Sequence, residues 1–225
     1  MQYMEIEFIL AKPAILDPLS YFDGILAWCA VQDAGGDLAA IERLPLKRTS
    51  GVYHASTWTP GEDRFPLVID CVHISRTSLK KELKTGGFTN YVDTDAIVQS
   101  YMNEQSGRYK SFLVPLWPLP YRRILFWCAG DIAEVRRLLG RLHFLGAKSS
   151  LGYGRIERFE IRVIDTDCSL VRDGRVMRPL PADVKFGDAV DSVASVWPLQ
   201  GPMRVSPPYW RKDGMTRCHM PALPA

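Results

Sequence analysis

The chain has 225 residues, 47% of them hydrophobic and 24% charged, with a net charge of +3; these are the proportions of an ordinary globular chain with a sizeable core. No apolar run is long enough to span a bilayer, and Met1–Gln2–Tyr3–Met4–Glu5 lacks the architecture of a secretory leader, so a cytoplasmic protein with no membrane segment is expected. The five cysteines are scattered without a C-x-x-C pair, which supports neither a disulfide framework nor a zinc site, and no cofactor is expected.

Residues 3–10 alternate, with Met4, Ile6, Phe8 and Leu10 on one face and Tyr3, Glu5 and Glu7 on the other, the pattern of a half-buried strand. Pro18–Leu19–Ser20 opens a helix to about Val31 that buries Phe22, Ile25, Leu26 and Cys29. Trp28 reads as core or as a contact for a partner. Residues 43–66 are rich in loop formers and interleave Lys47 and Arg48 with Tyr53, His54 and Trp58. Cations among aromatics suit backbone contacts and base stacking on RNA. Leu67–Ile74 reads as a buried strand. It leads into Arg76–Lys84, where Arg76, Lys80, Lys81 and Lys84 stand against Glu82, and then into Gly86–Gly87 with Phe88 and Tyr91 close by. A basic hairpin of this kind fits a finger laid along RNA.

After a short helix at about Asp95–Asn103 and a proline-stiffened connector, a strand is expected over Arg122–Ala129. Asp131 caps the next helix, with Glu134 three residues on. Its buried stripe is Ile132, Val135, Leu138, Leu139 and Leu142, with Arg136, Arg137 and Arg141 elsewhere on its surface. Then come Gly146–Ala147–Lys148–Ser149–Ser150–Leu151–Gly152–Tyr153–Gly154–Arg155 and a strand through Phe159, Ile161 and Val163. The order is strand, helix, strand, twice over, the split βαβ arrangement of ferredoxin-like domains. Leu170–Arg178 around Asp173–Gly174 reads as a hairpin, and the remainder has little periodicity.

The glycine loop carries the most chemistry. Three glycines let the backbone approach a ligand closely, and Lys148, Arg155 and three hydroxyls stand among them without an acid. Phosphate-binding loops of nucleotide-binding folds place their glycines before a helix. Here they follow one, whose C-terminus repels phosphate. Binding by loop amides and cations suits an extended RNA backbone better than a pyrophosphate. From Arg136 to Arg158 six basic residues face one acid, a local +5 that fits an electrostatic footprint.

The order of helix, G-A-K-S-S-L-G-Y-G-R loop and strand resembles the signature loop of the RAMP superfamily of CRISPR proteins. Leu16–Asp17–Pro18 with Phe22–Asp23–Gly24–Ile25–Leu26–Ala27–Trp28, and Gly51–Val52–Tyr53–His54–Ala55–Ser56, resemble the small Cas-five-like subunit of type IV effector complexes. The resemblance implies an α+β fold: a ferredoxin-like (RRM-like) RAMP domain over 1–165, with a thumb-like β-hairpin insertion at about 43–110. Residues 166–225 then form a C-terminal hairpin and irregular extension. It further implies a non-catalytic subunit that grips the 5′ handle of the CRISPR guide RNA and caps one end of the complex. The implied partners are a repeated backbone subunit, a large subunit, and target DNA near the protospacer-adjacent motif.

On this reading the RNA contacts are Lys47, Arg48, Tyr53, His54, Trp58, Arg76, Lys80, Lys81, Phe88, Tyr91, Arg141, Gly146, Lys148, Ser149, Ser150, Gly152, Tyr153, Gly154 and Arg155. The alternative is a metal-independent guide-processing endoribonuclease. Its only attractive base is His54, beside Tyr53 and Ser56; His73 reads as a core histidine and His143 as a loop contact. A metabolic enzyme ranks last, because no paired carboxylates, metal cluster or nucleophile motif supports one.

Overall fold

The computed structural model describes residues 1–66, 72–76, 112–211 and 213–222, and of 72–76, 112 and 114 it gives the backbone. The chain forms two compact units, Met1–Val68 with Leu119–Ala225, and Ile69–Pro118. In chain order, β1 (Gln2–Leu10) leads to α1 (Phe22–Asp33), a 3-10 turn at Leu38–Arg43, and the short strands β2 (Arg48–Thr49), β3 (Val52–Tyr53) and β4 (Thr59–Pro60). The smaller unit contributes β5 (Val72–Arg76) and β6 (Phe112–Leu116), paired antiparallel with Ile74 opposite Val114. Next come β7 (Arg123–Gly130), α2 (Ile132–Leu139) and β8 (Ile156–Ile164). The C-terminal part holds β9 (Val171–Arg172), β10 (Arg175–Val176), β11 (Leu180–Pro181), α3 (Asp188–Val196), β12 (Gln200–Met203) and β13 (Thr216–His219).

The fold is α+β. The main sheet has the order β4-β7-β1-β8, with every neighbouring pair antiparallel. With β4 as the second strand of the motif and β7 as the third, this order is compatible with the split-βαβ expectation. Alternation on β1 works as the sequence implies. Met4, Ile6, Phe8 and Leu10 are fully buried, against Ile124, Phe126 and Cys128 of β7 and against Phe22, Leu26 and Cys29 of α1. The rings of Phe8 and Phe126 meet edge-on at 5.9 Å, and Phe22 lies 5.6 Å from Phe126. Each such side chain contributes roughly 1.5–3 kcal/mol by leaving water. α1 begins four residues later than Pro18 suggests. Its apolar residues nearly encircle it, so periodicity marks its start poorly.

The opposite sheet face is more polar and is covered in part. Glu7 is only 4% exposed and is held by Arg123 at 3.0 Å and Arg162 at 2.8 Å. Trp127, beside Glu5 in the neighbouring strand's register, is buried under the guanidinium of Arg172 at 3.9 Å. Arg172 belongs to the β9–β10 hairpin, which turns through Asp173 (φ 48°) and Gly174 (φ 69°), the signature Asp-Gly turn.

Residues 179–225, read as aperiodic, hold α3 and a three-stranded sheet of order β11-β13-β12. Both are short, so neither has room to show a period. A second apolar cluster of Val52, Leu170, Val176 and Leu180, flanked by Phe186, Val190, Val193 and Trp197, joins this part to the β2–β3 hairpin. A buried polar knot ties it to α1 as well. Arg178 and Asp23, both fully buried, lie 3.3 Å apart. Tyr209 donates its hydroxyl to Asp23 at 2.8 Å, and Arg178 also donates to the carbonyls of Tyr53, Ala55 and Val205. Burial pushes the Asp23 carboxyl above its usual range, and the Arg178 guanidinium and the Tyr209 hydroxyl act against that rise. Among the described residues, no helix is long and apolar enough to cross a membrane.

Candidate nucleic-acid interface

α2 starts where Asp131 accepts from the amides of Ala133 and Glu134, at 2.9 and 3.2 Å. Glu134 turns to Arg137 at 2.9 Å, so only the Asp131 half of the expected capping box forms. Past Gly140 the chain runs through buried Leu142 and Leu145 into the glycine loop. The loop is closed at its base: Leu145 donates to Gly154 O at 2.8 Å, and Ile156 to His143 O at 3.0 Å. It is also braced on the segment after β1, because Gly154 donates to Pro13 O and Ala147 to Ile15 O, each at 2.8 Å.

Two glycines make this bracing possible. Gly154 has φ 68°, and a Cβ there would lie 1.9 Å from the carbonyl oxygen of Leu145. Gly146 has φ 90°, and its Cβ would meet Ile15 O at 2.4 Å. These two are needed for backbone packing rather than for ligand approach. The tip, by contrast, is open. Lys148 takes a left-handed conformation (φ 62°), and Ser149–Leu151 form one 3-10 turn with exposed side chains. The loop is therefore a fixed base with a projecting, hydroxyl-bearing tip.

Its two cations stand apart from the others. Lys148 and Arg155 are exposed and make no ion pair among the described residues. The other cationic candidates whose side chains are described are partnered: Lys47 with Asp167 at 3.7 Å, Arg48 with Glu42 at 3.2 Å and Arg141 with Asp33 at 2.8 Å. Arg137 shares Asp33 at 2.9 Å, and Arg158 pairs with Glu157 and Glu160, each at 3.3 Å. The +5 counted along residues 136–158 is thus diluted in space by Asp33 and Glu160, which lie outside that window. Exposed pairs of this kind contribute about 0–1 kcal/mol and can be exchanged for phosphate. Lys148 and Arg155 remain exposed, unpaired positive charges at the loop, as Arg136 does on α2, among the described residues.

Other predicted contacts fall elsewhere. Tyr53 and Trp58, expected as stacking platforms, are core residues at 3% and 4% exposure. Their polar atoms turn inward, the Tyr53 hydroxyl to Ile41 O at 2.9 Å and the Trp58 indole N–H to Asp17 O at 2.9 Å. An aromatic in a loop-rich stretch is as apt to plug the core as to face RNA, and here burial won. His54 is also buried. Its Nε2 lies 2.8 Å from Thr49 Oγ1 and its Nδ1 2.7 Å from Asp167 Oδ2. Asp167, in turn, accepts from the amide and hydroxyl of Ser169. Burial raises the Asp167 carboxyl, yet the bonds from His54 and Ser169 outweigh it and hold the group at about 2. Tyr153 is half-buried beside the loop, and Gly152 has open space about it. Arg76 closes β5, while Lys80, Lys81, Phe88, Tyr91 and the Asp95–Asn103 segment lie outside the described residues.

A feature the sequence reading missed adjoins the loop. An apolar groove of about 600 Å³ runs along α1, reaches Gly146 and Ser149, and carries Arg141 and His143 on one wall. Trp28 and Trp210 line it, at 52% and 72% exposure. Trp210 comes from a stretch without periodicity, 182 residues from Trp28 in the chain, so no local pattern could have paired them.

A family model for the CRISPR type IV associated protein Csf3 matches residues 2–221, nearly the whole chain. The chain belongs to that family. It is a type IV CRISPR-associated protein, as the resemblance of its N-terminal helix and of Gly51–Ser56 implies at that level. The family match spans β1, the loop and the C-terminal sheet alike, so loop and groove both lie within the part the family shares. A search of the curated proteins found no match.

Proposed function

We propose that this chain is a non-catalytic guide-RNA-binding subunit of a type IV CRISPR effector complex. It holds the 5′ handle of the guide and caps one end of the assembly near the protospacer-adjacent motif of the target DNA. Membership of the Csf3 family supports the complex. The observation that carries the RNA contact is the glycine loop: a rigidly braced base, an exposed Ser-Ser tip, and two cations, Lys148 and Arg155, without ion pairs among the described residues. Unpaired cations need not break an existing contact to meet a phosphate, so their attraction is fully available. The neighbouring subunits that the reading requires are a repeated backbone subunit along the guide and a large subunit at the same end.

The burial of His54 supports a binding role over cleavage. A general base for RNA cleavage must reach the 2′-hydroxyl of its substrate. His54 is 5% exposed, with both ring nitrogens engaged inside the fold. The test is a gel of labelled CRISPR repeat RNA incubated with the full chain in EDTA, with and without co-expressed neighbours. Intact RNA, shifted and protected at its 5′ handle, is the expected result. A discrete product that disappears in His54→Ala would replace this reading with the nuclease.

A further inference from the structure

From the groove beside the loop we infer that the RNA strand held by Lys148 and Arg155 turns its bases into this cleft, where they stack on Trp28 and Trp210. The inference rests on the RNA-binding reading and adds a second, base-contacting subsite to it.

Four observations converge on that occupant. Two large indole rings, half or more exposed, line one cleft; solitary exposed apolar residues are common, whereas a shared apolar patch marks a binding surface. The cleft is continuous with the loop, because Gly146 and Ser149 belong to both. Its lining includes Arg141, which Asp33 holds at 2.8 Å, and His143, and no carboxylate lines it among the described residues. Its volume, about 600 Å³, lies within the roughly 300–1,000 Å³ of clefts that enclose small molecules. Phosphates at the rim with flat apolar rings inside are the chemistry of single-stranded nucleic acid on aromatic platforms. An apolar helix from a protein would fill the cleft but would gain nothing from the cations and the adjoining loop.

Base stacking and phosphate contact can be separated with two strands of equal length, one of ordinary RNA and one abasic, each measured against the full chain. Wild-type protein is expected to bind the base-bearing strand about tenfold or more tightly, since one stacked base carries an effect of that size. Trp28→Leu with Trp210→Leu should erase this preference while leaving abasic affinity unchanged. Both residues are exposed and leucine keeps the surface apolar, so an unaltered melting temperature will show that the variant folds. Lys148→Ala with Arg155→Ala should instead weaken both strands in parallel. Equal wild-type binding of the two strands would overturn the stacking subsite and spare the RNA reading, whereas no binding of either would overturn both. Unchanged strand preference in the tryptophan variant, with loss of a co-purifying subunit, would make the cleft a protein-docking surface and overturn the inference.

Discussion

Asp167 shows how one carboxylate can fasten two distant parts of this chain. It accepts from His54 and twice from Ser169, and its acidity is held at about 2 against an ordinary 3.8. A folded-state value below the unfolded one stabilises the native form above the unfolded value, and that stabilisation fades as pH falls through the folded one. The separation corresponds to about 2 kcal/mol at neutral pH. Urea unfolding of wild type and Asp167→Asn should therefore differ by about that amount at pH 7. The gap should close between about pH 4 and pH 2, and a gap independent of pH would contradict the assignment. The Arg178–Asp23 pair answers to a harsher rule, because removing one partner strands a buried charge. Arg178→Met should cost about 3–5 kcal/mol in the same assay, and Asp23→Leu added to it should recover part of that loss.

At the scale of elements, the glycine loop divides its glycines into two kinds. Gly154→Ala forces a methyl group into the Leu145 carbonyl at a left-handed φ, whereas Gly152→Ala at φ 86° meets nothing within 4 Å. The first should lower the melting temperature markedly and disturb the loop's brace on Pro13. The second should cost about 1 kcal/mol from backbone strain alone. Equal effects on thermal melting would show that the loop is not braced as described. The sequence made β1, α2, β8 and the Asp173–Gly174 turn legible because alternation, a cap and a turn dipeptide are local signals. It could not reveal that Tyr53 and Trp58 are core, since their partners Ile41 and Asp17 are not in register with any periodicity. The charge count along the loop's flanks missed a partner for the same reason: Asp33 reaches Arg137 and Arg141 from another helix.

For the larger compact unit as a whole, the C-terminal sixty residues behave as part of the core, not as an appendage. They supply Arg178 and Tyr209 to the knot around Asp23, Arg172 over Trp127, and every residue but Val52 of the second apolar cluster. Ending the chain after Ile164 should therefore leave an insoluble product or one without a cooperative melting transition; a soluble, sharply melting fragment would contradict this integration. What remained illegible here was the pairing of segments far apart in sequence, the same obstacle that hid the Trp28–Trp210 groove. The RNA-binding role itself is tested most directly by the salt dependence of repeat-RNA affinity for the full chain and for Lys148→Ala with Arg155→Ala. Each phosphate contact on a single strand adds about 0.7 to the slope of log K against log salt, so the double substitution should flatten that slope by about 1.4. A weakened affinity with an unchanged slope, or no change in either, would remove the glycine loop from the RNA surface.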